Sequence, residues 1–270
     1  MNDAASLAPL DHSDPRAMRR AIRDGRFTGF TNLVARGHVQ GNLIAVPAAY
    51  ADDFEAYARA NPQALPLLGR GEPGRRDMPG IADDLDIARD TGGYMVFRDG
   101  ELVDTPRDAS THWRDDLVPF VIGCSFSFEA LLQRAGVRLR HLEEGDVSAM
   151  YETTRETVPV GPFGGKLIVS MRALTPADAI RATLVSARHP GFHGAPVSLG
   201  LPEDLGIASL ADSYGGHGMK RVLPGELPVF WACGATGQNA LRAARLPLAI
   251  THYKAHMVIT DLPLPEDMPS

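Results

Sequence analysis

The sequence predicts an α/β protein built as two domains. Three observations carry that prediction. Segments of strand and helix character alternate along the chain. An apolar strand that runs straight into a helix through a cysteine occurs twice. Between the two occurrences lies a stretch with its own strand–helix pattern.

The alternation is read element by element. "DPRAMRRAIRDG" (residues 14–25) predicts a helix capped by Asp14, with Pro15 in the first turn and Gly25 at the end. "HVQGNLIAVP" (residues 38–47) predicts a strand, and "AAYADDFEAYARANP" an amphipathic helix that stops before Pro62. Residues 61–93, rich in Pro, Gly and Asp, predict a long surface loop. "YMVFRDGELVD" (residues 94–104) predicts a hairpin around Asp99-Gly100. "KLIVSMRAL" (residues 166–174) predicts a strand, and "TPADAIRATLVSARH" a helix with Thr175 at its cap. The chain closes with "LPLAITHYKAHMVITD", two short apolar runs around Tyr253, Lys254 and Ala255.

The repeated unit is "VPFVIGCSFSFEALL" (Val118–Leu132) and "LPVFWACGATGQNAL" (Leu227–Leu241). At one constant offset Pro119 falls on Pro228, Cys124 on Cys233, Glu129 on Gln238 and Leu132 on Leu241, a match that one internal duplication would produce. The stretch between predicts a smaller α+β domain at 147–225. A larger, discontinuous, three-layer α/β domain takes 1–146 and 226–270.

Composition narrows the function. With 270 residues and 44% hydrophobic content the chain buries a sizeable core. No apolar run approaches the roughly 20 residues of a membrane helix, and the N-terminus has no signal-peptide pattern, so a cytoplasmic location is expected. The net charge is −6 and the lysines are Lys166, Lys220 and Lys254 alone, with no basic stripe for nucleic acid. Two cysteines build neither a disulfide framework nor a zinc knuckle. No glycine-rich phosphate loop is present: "GPFGGK" precedes a strand.

The candidate site centres on the cysteine slots. A strand leading into a helix sets its end beside unpaired amides and a positive dipole, where an anion is held and a thiol acidified. Cys124 and Cys233 are expected to line one cleft, with Ser125, Ser127, Gly234 and Thr236 beside them; buried filler is the competing reading of either cysteine. Glu129, beside Phe126 and Phe128, is expected to be a proton-transferring carboxylate with a raised pKa, or else a charge in the first helical turn. His252 is a proton shuttle if the last two apolar runs pair as a hairpin that brings it beside His256. Arg172 is the expected carboxylate clamp. Gln40, Asn42, His193, Gln238 and His256 complete the substrate-binding set. No metal and no cofactor is expected.

Six segments together, "GHVQGNLIAVP", "VPFVIGCSFSFEALL", "GGKLIVSMR", "FHGAPVSLG", "GELPVFWACGATGQ" and "ITHYKAHMVITD", resemble a bacterial hydro-lyase family related to the D-glutamate cyclase of animals. The likeness runs from about residue 15 to residue 262. It implies a two-domain α/β architecture and loss of water from a small amino acid to give a lactam. The chain departs from the family pattern at Ser198 and Leu201, at Gly216, and at Tyr253-Lys254-Ala255, which leaves room for a changed substrate. The expected activity is a cofactor-independent lyase (a hydro-lyase, D-glutamate cyclase-like) acting on a small carboxylate or amino acid. A thiol-dependent hydrolase or cyclase of a specialised pathway and a non-enzymatic carboxylate binder are the alternatives. The expected partner is a small-molecule carboxylate, with no nucleic acid and no membrane; a homodimer is left open.

Overall fold

The computed structural model describes residues 10–266. The elements in chain order are α1 (Pro15–Arg23), β1 (His38–Pro47), α2 (Ala48–Ala60), β2 (Leu67–Arg70), β3 (Tyr94–Arg98), β4 (Glu101–Asp104) and β5 (Leu117–Gly123). Next come α3 (Ser125–Arg134), α4 (Arg140–Glu143), β6 (Ala149–Glu156), β7 (Lys166–Leu174) and α5 (Pro176–Ser186). The chain ends with β8 (Ser198–Leu199), β9 (Leu227–Ala232), α6 (Ala235–Ala244), β10 (Ala249–His252) and β11 (Val258–Pro263). The fold is mixed α/β with two sheets. One has seven strands, ordered β2-β5-β1-β10-β3-β4 with β11 also on β1; the other has four, ordered β6-β7-β9-β8.

Local signals place the well-marked elements. Asp14 accepts the Arg16 amide at the start of α1, and Thr175 accepts the Asp178 amide at 3.2 Å at the start of α5. The β3–β4 turn uses Asp99 and Gly100, both at positive φ. The expected loop at 61–93 contains β2, which pairs with β5. Its four residues, with Gly69 among them, are too short and too glycine-interrupted to read as a strand.

Every ladder between named strands is antiparallel. The alternation of strands and helices therefore does not build the parallel sheet whose carboxyl edge would hold a ligand. The expected hairpin of the last two apolar runs is also absent: β10 pairs with β1 and β3, while β11 pairs with another part of β1. The long β1 offers two successive docking stretches, at Ile44–Ala45 and at His38–Gly41, and each run takes one. The expected boundary at 225/226 falls ahead of β9, which belongs to the four-stranded sheet because it pairs with β7 and β8. The chain returns to the larger sheet with β10.

The two cysteine units are halves of a larger internal repeat. In the first, β1 leads into α2 and then β2, and β5 leads through Cys124 into α3; the spatial order is β2-β5-β1. In the second, β7 leads into α5 and then β8, and β9 leads through Cys233 into α6; the order is β8-β9-β7. The register agrees residue by residue. Pro119 lies opposite Ala45 and Pro228 opposite Ala173. The Pro119 carbonyl accepts the Gly71 amide and the Pro228 carbonyl accepts the Gly200 amide, each at 2.8 Å. Proline sits inside both strands because these carbonyls still bond outward while the missing N–H is placed where the ladder does not need it.

The core follows the same division. Phe54, Phe120, Phe163 and Tyr57 pack between the larger sheet and α2. Phe128 and Trp231 lie 5.3 Å apart, centroid to centroid, where α3 meets β9, and so tie the halves together.

Candidate active site at the joint of the two halves

Cys124 is the N-cap of α3, and Cys233 directly precedes Gly234, the N-cap of α6; neither helix has a side-chain cap. Each sulfur lies against the backbone amide two residues on, that of Phe126 or of Ala235. Asn42 on β1 joins the two units. Its Nδ2 donates to the carbonyls of Gly123 (2.9 Å) and Ile122 (3.3 Å), beside Cys124. Its side chain also lies where a Cβ on Gly234, beside Cys233, would come within 2.4 Å. Glycine at 234 is thus required by close approach. Gly123 is required for the same reason, because a Cβ there would meet the Gly191 carbonyl oxygen at 1.9 Å.

Burial sets the state of the thiols against the expected acidification. It pushes Cys124 up to about 12, and the nearby Cys233 and Glu129 add to the rise. Burial raises Cys233 as well. The helix-end amides lower both, but desolvation outweighs them, so both stay as thiols at neutral pH. Cys124 is buried, whereas Cys233 is half-buried with its sulfur 3.7 Å from that of Met150.

Glu129 lies beyond the first turn of α3 and is buried, so it is not a dipole-compensating charge. Its Oε1 accepts from Arg172 Nη2 (2.6 Å) and Nε (3.1 Å) and from His141 Nε2 (3.0 Å). Its Oε2 is buried without a partner among the described residues. Desolvation raises its pKa, but His141 and Arg172 together outweigh that and hold the carboxyl down to about 2. The expectation of a raised pKa is therefore reversed: Phe126 and Phe128 are neighbours in sequence, while two cationic or donor groups are neighbours in space.

Arg172 is committed within the protein. Besides Glu129 it donates to Ser125 Oγ (2.9 Å) and Ser170 Oγ (2.6 Å), and its guanidinium lies 4.9 Å from the Phe128 ring centroid and 5.4 Å from that of Trp231. A fork so occupied clamps an internal carboxylate and fixes α3 against β7. His141, on α4, was not singled out in the sequence. It lies on a four-residue helix after a glycine-containing turn, and only the tertiary fold brings it to Glu129.

Ser127 and Thr236 occupy equivalent places in the repeat and do the same work. Ser127 Oγ accepts the Gln40 amide at 3.0 Å and reaches its carbonyl at 3.3 Å. Thr236 Oγ1 accepts the Ile168 amide at 3.1 Å and reaches its carbonyl at 3.3 Å. Each hydroxyl fastens a helix to a strand and is spent there. Gln40 Nε2 donates to the carbonyls of Thr31 and Val34, so it too serves the scaffold.

Of the remaining candidates, His252, Gln238 and His256 gather around the end of β10. His252 donates from Nδ1 to the Leu43 carbonyl at 3.3 Å, which leaves Nε2 as the acceptor nitrogen. Burial lowers its pKa to about 4, and His256 adds to this. Gln238 Nε2 donates to the His252 carbonyl at 3.3 Å, and His256 Nδ1 to that of Lys254 at 2.7 Å. His193, at positive φ, donates from Nδ1 to the Gln63 carbonyl at 2.9 Å; burial, with Arg172 adding, lowers it to about 4. Among the described residues no group of three or more His, Cys, Asp or Glu side chains is placed to hold a metal ion, and no helix is long and apolar enough to cross a membrane.

Comparison with known proteins places the chain in a family. A protein of Methylobacterium radiotolerans with a provisional hydro-lyase name is 52% identical over 266 residues, covering 98% of this chain and 97% of its own. One from Rhizobium johnstonii, also provisionally named a hydro-lyase, is 48% identical over 97% of each chain. Among solved structures, a nitrogen repressor-like protein from Methanococcus jannaschii aligns with a TM-score of 0.38 and 10% identity over 81% of this chain and 86% of that one, too loose a likeness to bear on fold or function. The family described as D-glutamate cyclase matches residues 118–261, a span that holds both cysteine units, Glu129, Arg172 and His252. The chain belongs to the D-glutamate cyclase family.

Proposed function

We propose that the chain is a lyase that removes water from, or adds it to, a small amino acid or related carboxylate, at the joint between the two cysteine units. The observation that carries this reading is Asn42, which is bonded beside Cys124 and packed against Gly234. It brings two uncapped helix N-termini to one place, where backbone amides can receive a carboxylate and an oxyanion formed from it.

The residues divide the work in this reading. Asn42 and Gln238 orient the substrate. His252, neutral near pH 7 and with Nε2 free of its Leu43 bond, accepts a proton. Glu129, held as an anion by Arg172 and His141, fixes α3 and its amides instead of donating a proton. A cysteine nucleophile is less well supported, because burial keeps both sulfurs protonated.

The test is incubation of the protein with both enantiomers of glutamate and with pooled small hydroxy and amino acids, followed by mass spectrometry. A water-sized mass loss that is weakened at least about a hundred-fold in His252→Asn is expected. Unchanged turnover in that variant would remove His252 from proton transfer. Tight binding of an amino acid with no mass change would make the protein a binder and not a lyase.

A further inference from the structure

The repeat makes a comparison possible inside one molecule. At most of its polar positions the two halves have diverged. Glu129 corresponds to Gln238, Ser125 to Gly234, Asn42 to Ser170 and Arg172 to Ile44. Two features are kept. One is the hydroxyl of Ser127 and Thr236, which the strand–helix joint uses in both halves. The other is the thiol of Cys124 and Cys233, which in each half lies against the amide two residues on and fastens no helix to a strand. A small filler would satisfy packing at either place, so the twice-kept thiol asks for chemistry that needs the same group twice.

We propose that Cys124 and Cys233 address one substrate carbon from opposite sides and exchange its proton, so that the protein inverts the α-carbon of a small α-amino acid. The proposal rests on the reading above, that the joint holds an amino-acid carboxylate, and adds an activity to it. Inversion requires a base on one face of a carbon and an acid on the other. An internal repeat supplies equivalent groups from two halves, and the Asn42 bridge fixes how near those halves stand. Further along α3, the Oε2 of Glu129, buried and without a partner among the described residues, is an acceptor left for a bound ammonium.

The step balances without an oxidant or reductant. One sulfur, as thiolate, takes the α-proton, and the electron pair left on carbon is delocalised into the carboxylate held by the helix amides. The opposite thiol gives its proton to the other face and becomes the thiolate. The number of S–H bonds is unchanged, and the two sulfurs have exchanged roles. Both thiols are protonated at neutral pH, which supplies the acid partner, and one proton must be lost to solvent to make the base. Inversion therefore rises with pH above 7.

The experiment uses the full chain in deuterium oxide with D-glutamate, L-glutamate and both enantiomers of 5-oxoproline, read by chiral chromatography and mass spectrometry. The expected result is the opposite enantiomer carrying one deuterium at the α-carbon. Cys124→Ser and Cys233→Ser each lose inversion by about a hundred-fold or more. Each variant still exchanges the α-proton of one enantiomer, and the two variants differ in which. The absence of α-proton exchange in all four compounds with the wild-type chain overturns the proposal whether or not a variant folds. Wild-type inversion in both serine variants overturns it as well. Water loss without α-exchange overturns inversion and leaves the lyase reading standing; α-exchange without water loss does the reverse.

Discussion

Glu129→Gln is the substitution whose outcome the structure determines most sharply. From sequence alone it looks mild, since glutamine keeps the shape and already stands at the equivalent position 238. The structure predicts otherwise. All three bonds to the carboxylate converge on Oε1, so glutamine can keep an acceptor there, but the negative charge is lost. The Arg172 side chain is 1% exposed, and among the described residues Glu129 is its ion-pair partner. Its remaining contacts, two serine hydroxyls and two aromatic rings, carry no full charge. Removing one member of a buried pair costs about 3–5 kcal/mol. Linkage gives a similar figure. A carboxyl held at about 2 against an ordinary 4.5 contributes on the order of 3 kcal/mol near pH 7. For a domain of this size the melting temperature should fall by roughly 6–20 °C. Urea unfolding followed by circular dichroism measures it. Glu129→Gln combined with Arg172→Met should recover most of the loss, because the orphaned charge is gone. A change under about 1 kcal/mol in the single variant, or a double variant less stable than the single one, would refute the buried-pair argument.

Three other outcomes follow from the geometry. His193 and His252 are both held to about 4 against an ordinary 6.5. The unfolded chain therefore binds more protons between those values, and the stability present above pH 6.5 is lost as pH falls toward 4, by on the order of 3 kcal/mol per histidine; a chain that unfolds in urea at the same midpoint at pH 7 and pH 4.5 would contradict their burial in neutral form. Ser127→Ala and Thr236→Val should each cost about 1–3 kcal/mol and by similar amounts, since each strands a buried strand amide; a large difference between the two in urea titrations would break the structural equivalence of the halves. In the native protein iodoacetamide should modify Cys233 before Cys124, and both far more slowly than after unfolding, as peptide mass mapping will show; rapid labelling of Cys124 at pH 7 would mean that its sulfur is neither buried nor protonated.

What the sequence determined by itself is local. The bounds of β1, β7, α2 and α5 are legible because periodicity and the cap or breaker of each lie within a few residues, as with Thr175 and Pro62. The matched cysteine slots are legible because both copies kept Pro, Cys and Leu at one spacing. The family is legible for the same reason, through short blocks that keep their residues. Tertiary structure decided what depends on distant partners. The antiparallel pairing of all the strands, and the separate docking of β10 and β11 along β1, are properties of sheet assembly that no single segment encodes. The charge state of Glu129 is not legible in the sequence because its pKa depends on Arg172 and His141, which the fold brings beside it. Burial alone would raise a carboxyl, and a donor pair reverses the sign. The thiols show the opposite balance. A helix start predicts acidification, but desolvation, which only packing determines, outweighs a few amides. The bridge made by Asn42 belongs to the same class, since it needs a glycine in each half and a strand between them, and these are contiguous only once the chain has folded.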